Sequence, residues 1–435
     1  MKPALSLLLT ASLTTSLAGT ALAGPEGSDD ITVIHAGSLI DTEAGQMVRD
    51  RYIVIAEGRV DKVVGRAEFE RMDSPDRFVD LSEMTVLPGL TDAHVHLIGQ
   101  AANYGYNSLA ESTPRAAIIG VANAKVTLDA GFTTVRNVGA PGYADIDLRD
   151  VIADGLVPGP RIIPAGPSIG ITGGHCDSNL LPFEYEQTSD GVADGPWGVR
   201  KKVRQNKKYG AEVIKFCGTG GVLSKGTTIG AQQFTAEEME AIVDEAHQLG
   251  MKVTVHAHGE NGIRTAIAAG VDSVEHASLI TDDAIQMAVQ RGTALSMDIF
   301  VSDFILSEGE AAGILPESLE KERQVGRKQR ERFQAAVEAG ATMAFGTDAG
   351  VYPHGRNGQQ FAYMVEWGLT PIQAIQSATT VNAKLFGLEG QIGVIKKGAE
   401  ADIIAVDGNP LQDISELEDV DFVMKSGRIH LTQND

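Results

Sequence analysis

Leu87-Pro88-Gly89-Leu90-Thr91-Asp92-Ala93-His94-Val95-His96 is the stretch that decides the fold of this chain. Val86, Leu87 and Leu90 supply the apolar run of a buried strand. Side chains alternate along a strand, so His94 and His96 project from one face. Two imidazoles side by side at a strand's end can grip one metal ion. Taken alone, His-x-His more often marks two ordinary polar residues, and the surrounding sequence has to decide.

The chain has 435 residues, of which 43% are hydrophobic, enough for one large barrel plus a smaller domain. Its first residues read as a secretory leader: Met1-Lys2 is basic, Ala4 to Leu17 is small and apolar, and Ala21-Leu22-Ala23 is a cleavage signal before Gly24. Residues 1–23 are thus expected to be removed from a soluble protein, periplasmic or secreted. The net charge of -22 argues against nucleic acid and anionic membrane as partners. Export permits a disulfide between Cys176 and Cys217, but free buried thiols are the default reading of each, and the sequence leaves their pairing open.

Upstream of the opening stretch, residues 31 to 88 are β-rich, with a turn at Glu57-Gly58. Downstream, short apolar runs alternate with helical patterns. The expected strands are Val86–His94, Phe132–Arg136, Arg161–Pro164, Ala211–Cys217, Lys252–His256, Val271–Glu275, Thr293–Met297 and Ala341–Phe345. Several helices end on a glycine before the next strand, as at Gly131, Gly210, Gly250, Gly270, Gly292 and Gly340. Thr235 and Glu238 form a capping box for a helix whose buried stripe is Met239, Ile242, Val243 and Ala246. Repeated βα units predict an α/β fold, a (β/α)8 TIM-type barrel, over residues 89–390. The alternative is an open doubly wound sheet, but no Gly-x-Gly-x-x-Gly loop follows a strand. Ile403-Ile404-Ala405-Val406 and Phe422-Val423-Met424 read as strands again. Residues 24–88 and 391–435 are therefore expected to form one small β-sandwich.

Three long excursions, Gly166–Trp197, Gly218–Phe234 and Asp298–Glu322, are candidates for functional loops. The charged run Glu317–Arg332 reads as a solvated helix face. Catalytic groups of such barrels come from the C-terminal ends of the strands. Those positions here hold His94, His96, Lys215, His256 with His258 just beyond, His276, and Asp348 after Gly346-Thr347. His247 lies within a helix and reads as a surface or packing residue. Arg136, at the end of the second strand, is a weaker candidate for binding a substrate carboxylate, and Phe183 and Tyr185 are candidate pocket walls.

In combination these motifs resemble the amidohydrolase superfamily of metal-dependent hydrolases. The resemblance rests on Pro88 to His96, Val213-Ile214-Lys215, Val255-His256-Ala257-His258, Val274-Glu275-His276, Phe345-Gly346-Thr347-Asp348-Ala349-Gly350 and Lys397-Gly398-Ala399-Glu400-Ala401-Asp402. Gly173-Gly174-His175 fits the branch of imidazolonepropionase-like prolidases, Lys/Arg-type carboxypeptidases and ochratoxin-hydrolysing enzymes. The resemblance implies two divalent metal ions, expected to be Zn2+. His94, His96 and Asp348 would hold one, His256 and His276 the other, and a carbamylated Lys215 would bridge them. A shared hydroxide would attack an amide carbonyl, with Asp348 moving the proton to the leaving amine. His175, His258 and Arg136 remain as substrate contacts. The expected substrate is a small-molecule amide: a dipeptide, an Xaa-Pro dipeptide or an N-acyl amino acid, ochratoxin A included. The resemblance further implies a homo-oligomer. The alternatives are a mononuclear ring hydrolase or deaminase with unmodified Lys215, and an exported binding protein without catalysis.

Overall fold

The computed structural model describes residues 30–432; the expected leader at 1–23 lies outside the described residues. In chain order the first strands are β1 (Thr32–Asp41), β2 (Gln46–Ala56), β3 (Arg59–Gly65) and β4 (Arg77–Pro88). They are followed by β5 (Leu90–Val95), β6 (Phe132–Asn137), β7 (Arg161–Pro164), β8 (Val213–Cys217), β9 (Lys252–Ala257), β10 (Ser273–His276), β11 (Ala294–Ser296) and β12 (Met343–Ala344). The chain closes with β13 (Ile403–Val406), β14 (Phe422–Lys425) and β15 (Arg428–Leu431).

The two ends of the chain meet as expected, in a different form. β1 to β4 and β13 to β15 make one mixed seven-stranded sheet, ordered β15-β14-β13-β4-β1-β2-β3, rather than two facing sheets. Ile404 of β13 pairs opposite Leu87 of β4. The sheet curls on itself: Val60 beside one edge donates to the Ala399 carbonyl just before β13. Its concave face closes over one apolar cluster that includes Ile34, Ile53, Val86, Ile403 and Met424. At the expected turn, Glu57 and Gly58 have φ of 51° and 73°, the paired left-handed geometry of a two-residue hairpin.

β5 to β12 pair in parallel with their sequence neighbours, three strands in one sheet (β5-β6-β7) and five in another (β8 to β12). Single bridges, Ile169–Phe216 and Val95–Ala349, join the sheets. Continuous pairing therefore does not run around one closed sheet, and this corrects the simplest form of the barrel expectation. The sequential order also excludes a doubly wound sheet, which reverses strand order at a switch point. Helices between the strands follow the sequence pattern. Thr235 and Glu238 make the reciprocal capping box of helix Ala236–Gln248, which buries Met239, Ile242, Val243 and Ala246.

The opening stretch is two strands, not one. Val86 and Leu87 belong to β4 and the mixed sheet, and the parallel array begins at Leu90. Gly89 is the transfer point. Its N–H donates to the Asp402 carbonyl (2.8 Å) on the mixed-sheet side. A Cβ at this position would lie 2.2 Å from the Thr133 hydroxyl on the array side. Gly89→Ala is expected to cost about 1–3 kcal/mol through overpacking. Thr133→Ala in the same chain should recover part of that, with a coupling of at least about 0.5 kcal/mol in denaturant midpoints. Strictly additive effects would show that the contact does not constrain the junction.

Candidate metal centre

At the C-terminal end of the array, β5 delivers His94 and the next turn delivers His96. Their Nε2 atoms lie 3.3 and 3.4 Å from the same Asp348 oxygen. Asp348 has φ of 58°, a left-handed conformation rare outside glycine. Asp92 holds that turn: it accepts from the backbone N–H of His94 (3.0 Å) and of Thr347 (3.2 Å), the Thr347 hydroxyl (2.6 Å) and the Asn357 amide (2.8 Å). The Asp348 N–H then donates to the His94 carbonyl at 2.8 Å.

A second donor set faces the first. The rings of His256 and His258 lie 4.5 and 4.7 Å from that of His276. His276 Nδ1 meets both Asp298 oxygens (2.9 and 3.0 Å), and the Gln329 amide donates to Asp298 (2.7 Å). His258 Nδ1 pairs with the Ser278 hydroxyl at 2.8 Å. His175 stacks on His256 with ring centroids 4.0 Å apart. Two groups, His94-His96-Asp348 and His256-His258-His276, each keep their donor atoms within 4.8 Å of one another, and a third, His276-Asp298-Asp348, links them on the same criterion. The sequence placed His258 among substrate contacts; the structure also brings it into the second donor group. The Lys215 side chain lines the same cavity and is buried.

Electrostatics leave His94, His256 and His258 as neutral imidazoles and Asp348 as an anion, the forms that ligate a metal. Burial pushes His94 down to about 4 and, with neighbouring histidines, His256 and His258 well below the usual imidazole range. Burial acts on His276 too, but Asp298 opposes it and raises the ring. Burial pushes the Asp348 carboxyl upward, yet His94, His96 and His276 hold it well below the usual range, as an anion. Burial lowers the Lys215 amine to about 8. His256 Nε2 and His175 Nδ1 are buried without a hydrogen-bond partner among the described residues. Neutral imidazoles with open nitrogens beside an ionised carboxylate fit a divalent metal.

Arg136 is not where the sequence expectation put it. It is buried inside the array, donating to the Ala93 carbonyl (2.7 Å), the Ser273 hydroxyl (3.0 Å) and Glu275 (2.8 Å). It does not line the cavity. Phe183 and Tyr185 are 86% and 67% exposed and do not line it either. Glu275, Asp298, Gln329 and Glu322 were missed. Asp298 directly follows the seventh expected strand, so the strand-end rule that found the histidines would have found it. Contrary to the free-thiol default, Cys176 and Cys217 form a disulfide in the cavity wall, tying the loop of His175 to the end of β8.

Parallel strands with a histidine-rich donor cluster at their C-terminal ends define a candidate metal centre on a barrel-type enzyme scaffold. The chain belongs to the amidohydrolase family, whose profile matches residues 85–430. It is 31% identical to ochratoxinase of Aspergillus niger over 427 residues, 92% of this chain and 86% of that one. A crystal structure of a Xaa-Pro dipeptidase with bound methionine in the active site is 41% identical, with a TM-score of 0.85 over 92% of this chain and 99% of that one. A prolidase complexed with N-methylphosphonate-L-proline is 34% identical, with a TM-score of 0.85 over the same shares, 92% and 99%.

If Arg136 sustains Glu275 rather than substrate, Arg136→Met should destabilise the fold by about 3–5 kcal/mol, the cost of an unpaired buried charge. Denaturant unfolding measures this. An unchanged midpoint with a selective rise in KM would return Arg136 to the substrate site.

Proposed function

We propose that the chain is an exported binuclear metal amidohydrolase that releases a C-terminal amino acid from a dipeptide, an Xaa-Pro dipeptide or an N-acyl amino acid, ochratoxin A among the last. The observation that carries this reading is the pair of donor groups in one cavity with the Lys215 amine. His94, His96 and Asp348 would hold one ion, and His256 and His276 the other. Lys215, as its carbamate, would join them, since an ammonium would repel two cations whereas a carbamate offers two anionic oxygens. The neutral fraction of a depressed lysine is the form that adds carbon dioxide. Nitrogen and oxygen donors suit zinc. Bound divalent ions polarise a carbonyl and ease the deprotonation of water.

The chain's own residues do the rest. Asp348 is held as the anion and accepts the proton of the attacking water on a carboxylate oxygen. It returns that proton to the amine nitrogen, because an unprotonated amine leaves poorly. His175 and His258 are neutral and line the cavity, where they would hydrogen-bond the scissile carbonyl or the product carboxylate. The aliphatic walls, Val222, Leu223, Val301, Ile305 and Val325, would exclude bulk water once substrate enters.

Metal analysis of protein purified without chelator should give two divalent ions per chain. Lys215→Arg should lower that content and cut turnover by orders of magnitude, since guanidinium stays cationic and cannot become a bridging ligand. Near-normal turnover with two ions in this variant would sink the carbamate reading. Turnover with one ion in wild type would instead favour the mononuclear alternative.

A second outcome concerns the substrate. Replacing its terminal carboxylate with an amide should reduce kcat/KM by about tenfold to a few hundredfold, the loss of one charge-assisted contact. Equal rates would leave a general amidase without a carboxylate requirement.

A further inference from the structure

The cavity at the donor cluster has a volume of about 150 Å³ and two unlike ends. One is the histidine, lysine and aspartate group. The other is walled by Val222, Leu223, Val301, Ile305 and Val325, and into this aliphatic wall helix Pro316–Glu338 inserts Glu322. Glu322 is 4% exposed. The Ser302 hydroxyl donates to its Oε1. Among the described residues its other oxygen accepts no hydrogen bond, and it forms no ion pair. Arg330, two turns along the same helix, is already engaged by the Ile299 carbonyl (3.0 Å) and Asp303 (2.7 Å).

The helix is shaped around this carboxyl. One turn on stands Gly326, where a Cβ would lie 2.6 Å from Glu322 Oε1 and 1.9 Å from the Ser302 hydroxyl. Burial raises the carboxyl to about 7. If Glu322 served packing alone, an apolar residue would do better, because a buried carboxyl with an unused oxygen costs stability. A buried, perturbed and half-partnered acid in the wall of a binding cavity calls for a ligand group to complete it.

We propose that Glu322 is a specificity-determining residue that selects substrates whose buried side chain ends in a hydrogen-bond donor on an aliphatic stem. The inference rests on the amide-hydrolase reading for the identity of the cavity's occupant. The valine and isoleucine wall packs the stem, and the free carboxyl oxygen takes the donor at its tip. Ammonium and carboxamide tips share this chemistry, and two amino acids separate them.

The test is calorimetric titration of L-lysine, L-glutamine and L-norleucine into the metal-bearing protein as purified. Wild type, Glu322→Met and Glu322→Gln are compared. Lysine and glutamine should bind wild type at least about tenfold more tightly than norleucine, the worth of one buried hydrogen bond to a carboxyl. In Glu322→Met that preference should vanish or reverse. Glu322→Gln keeps the shape and an acceptor oxygen, so it should lose the preference for lysine and retain that for glutamine. This second variant carries the test if Glu322→Met fails to fold. Norleucine binding wild type as well as the others, an unchanged preference in the variants, or no binding of any of the three overturns the proposal. Binding requires no turnover. Failure of the hydrolase reading would show separately, as no release of amino acid from any N-acetyl derivative while the binding order stands.

Discussion

Glu275 places a full negative charge in the middle of the parallel array, and the centre above depends on how that charge is met. Arg136 takes one oxygen at 2.8 Å, and the Ser273 and Thr254 hydroxyls donate to that same oxygen. The other oxygen lies 3.1 Å from His94 Nδ1. Arg136 holds the Glu275 carboxyl well below its usual range against the opposing effect of burial. An anion opposite Nδ1 favours the proton there, which leaves Nε2 free to face Asp348 and a metal. Asp298 treats Nδ1 of His276 in the same way. One histidine from each donor group is thus set by a carboxylate at its Nδ1. A buried ion pair adds little net stability, but breaking one is costly, so the array cannot vary at Arg136 or Glu275 without losing the ring orientation above.

The sequence made the alternating strands legible because each is a short apolar run between helix-period segments, and all eight expected strands have counterparts in the structure. It made the metal-capable residues legible because they sit where strands end. It misplaced residues whose role depends on direction rather than position. Arg136 occupies a strand end, but its guanidinium turns inward to Glu275, and a one-dimensional pattern carries no such information. The run Glu317–Arg332 looked solvated because most of its residues are charged. Yet Glu322, Val325 and Gln329 recur at helical spacing and form one inward face of Pro316–Glu338. The division of Val86–His94 into two strands was hidden for a similar reason. Apolar residues continue across Gly89, and the change of sheet is marked by the Gly89 N–H bond to the Asp402 carbonyl and the close approach of the Thr133 side chain.

The strand ends also store backbone strain. His276, Ala277 and Asp348 have φ of 69°, 49° and 58° without being glycine. Such conformations cost about 1–3 kcal/mol each and persist only where neighbours over-determine them. Here the neighbours are visible. Ala277 N–H donates to the Ala257 carbonyl (3.0 Å) and Asp348 N–H to the His94 carbonyl (2.8 Å). The Asp92 carboxyl gathers the Thr347 and Asn357 side chains beneath the Asp348 turn. Strain and charge therefore converge on the same few positions, and both are relieved from inside the array rather than from the loops.

That separation bears on how one fold serves different amides. The donors stand on or directly beyond strands, fixed from below by Asp92, Arg136 and Glu275. The opposite wall comes from two of the three long excursions and one helix: Val222 and Leu223, Val301 and Ile305, Glu322 and Val325. Changing an aliphatic wall residue alters which side chain is accommodated without touching the balance of charges that orients His94 and His276, whereas Glu322 also acts electrostatically on Asp298 and His276. His175 is the exception. It rides on an excursion yet stacks on His256, and the adjacent Cys176–Cys217 disulfide ties it to the strand that carries Lys215. A covalent tether at that point has a physical purpose. A loop residue that must hold its place over a rigid centre needs a constraint that packing of a polar loop does not supply, and the wall residues, which need only exclude water and fit a stem, need none.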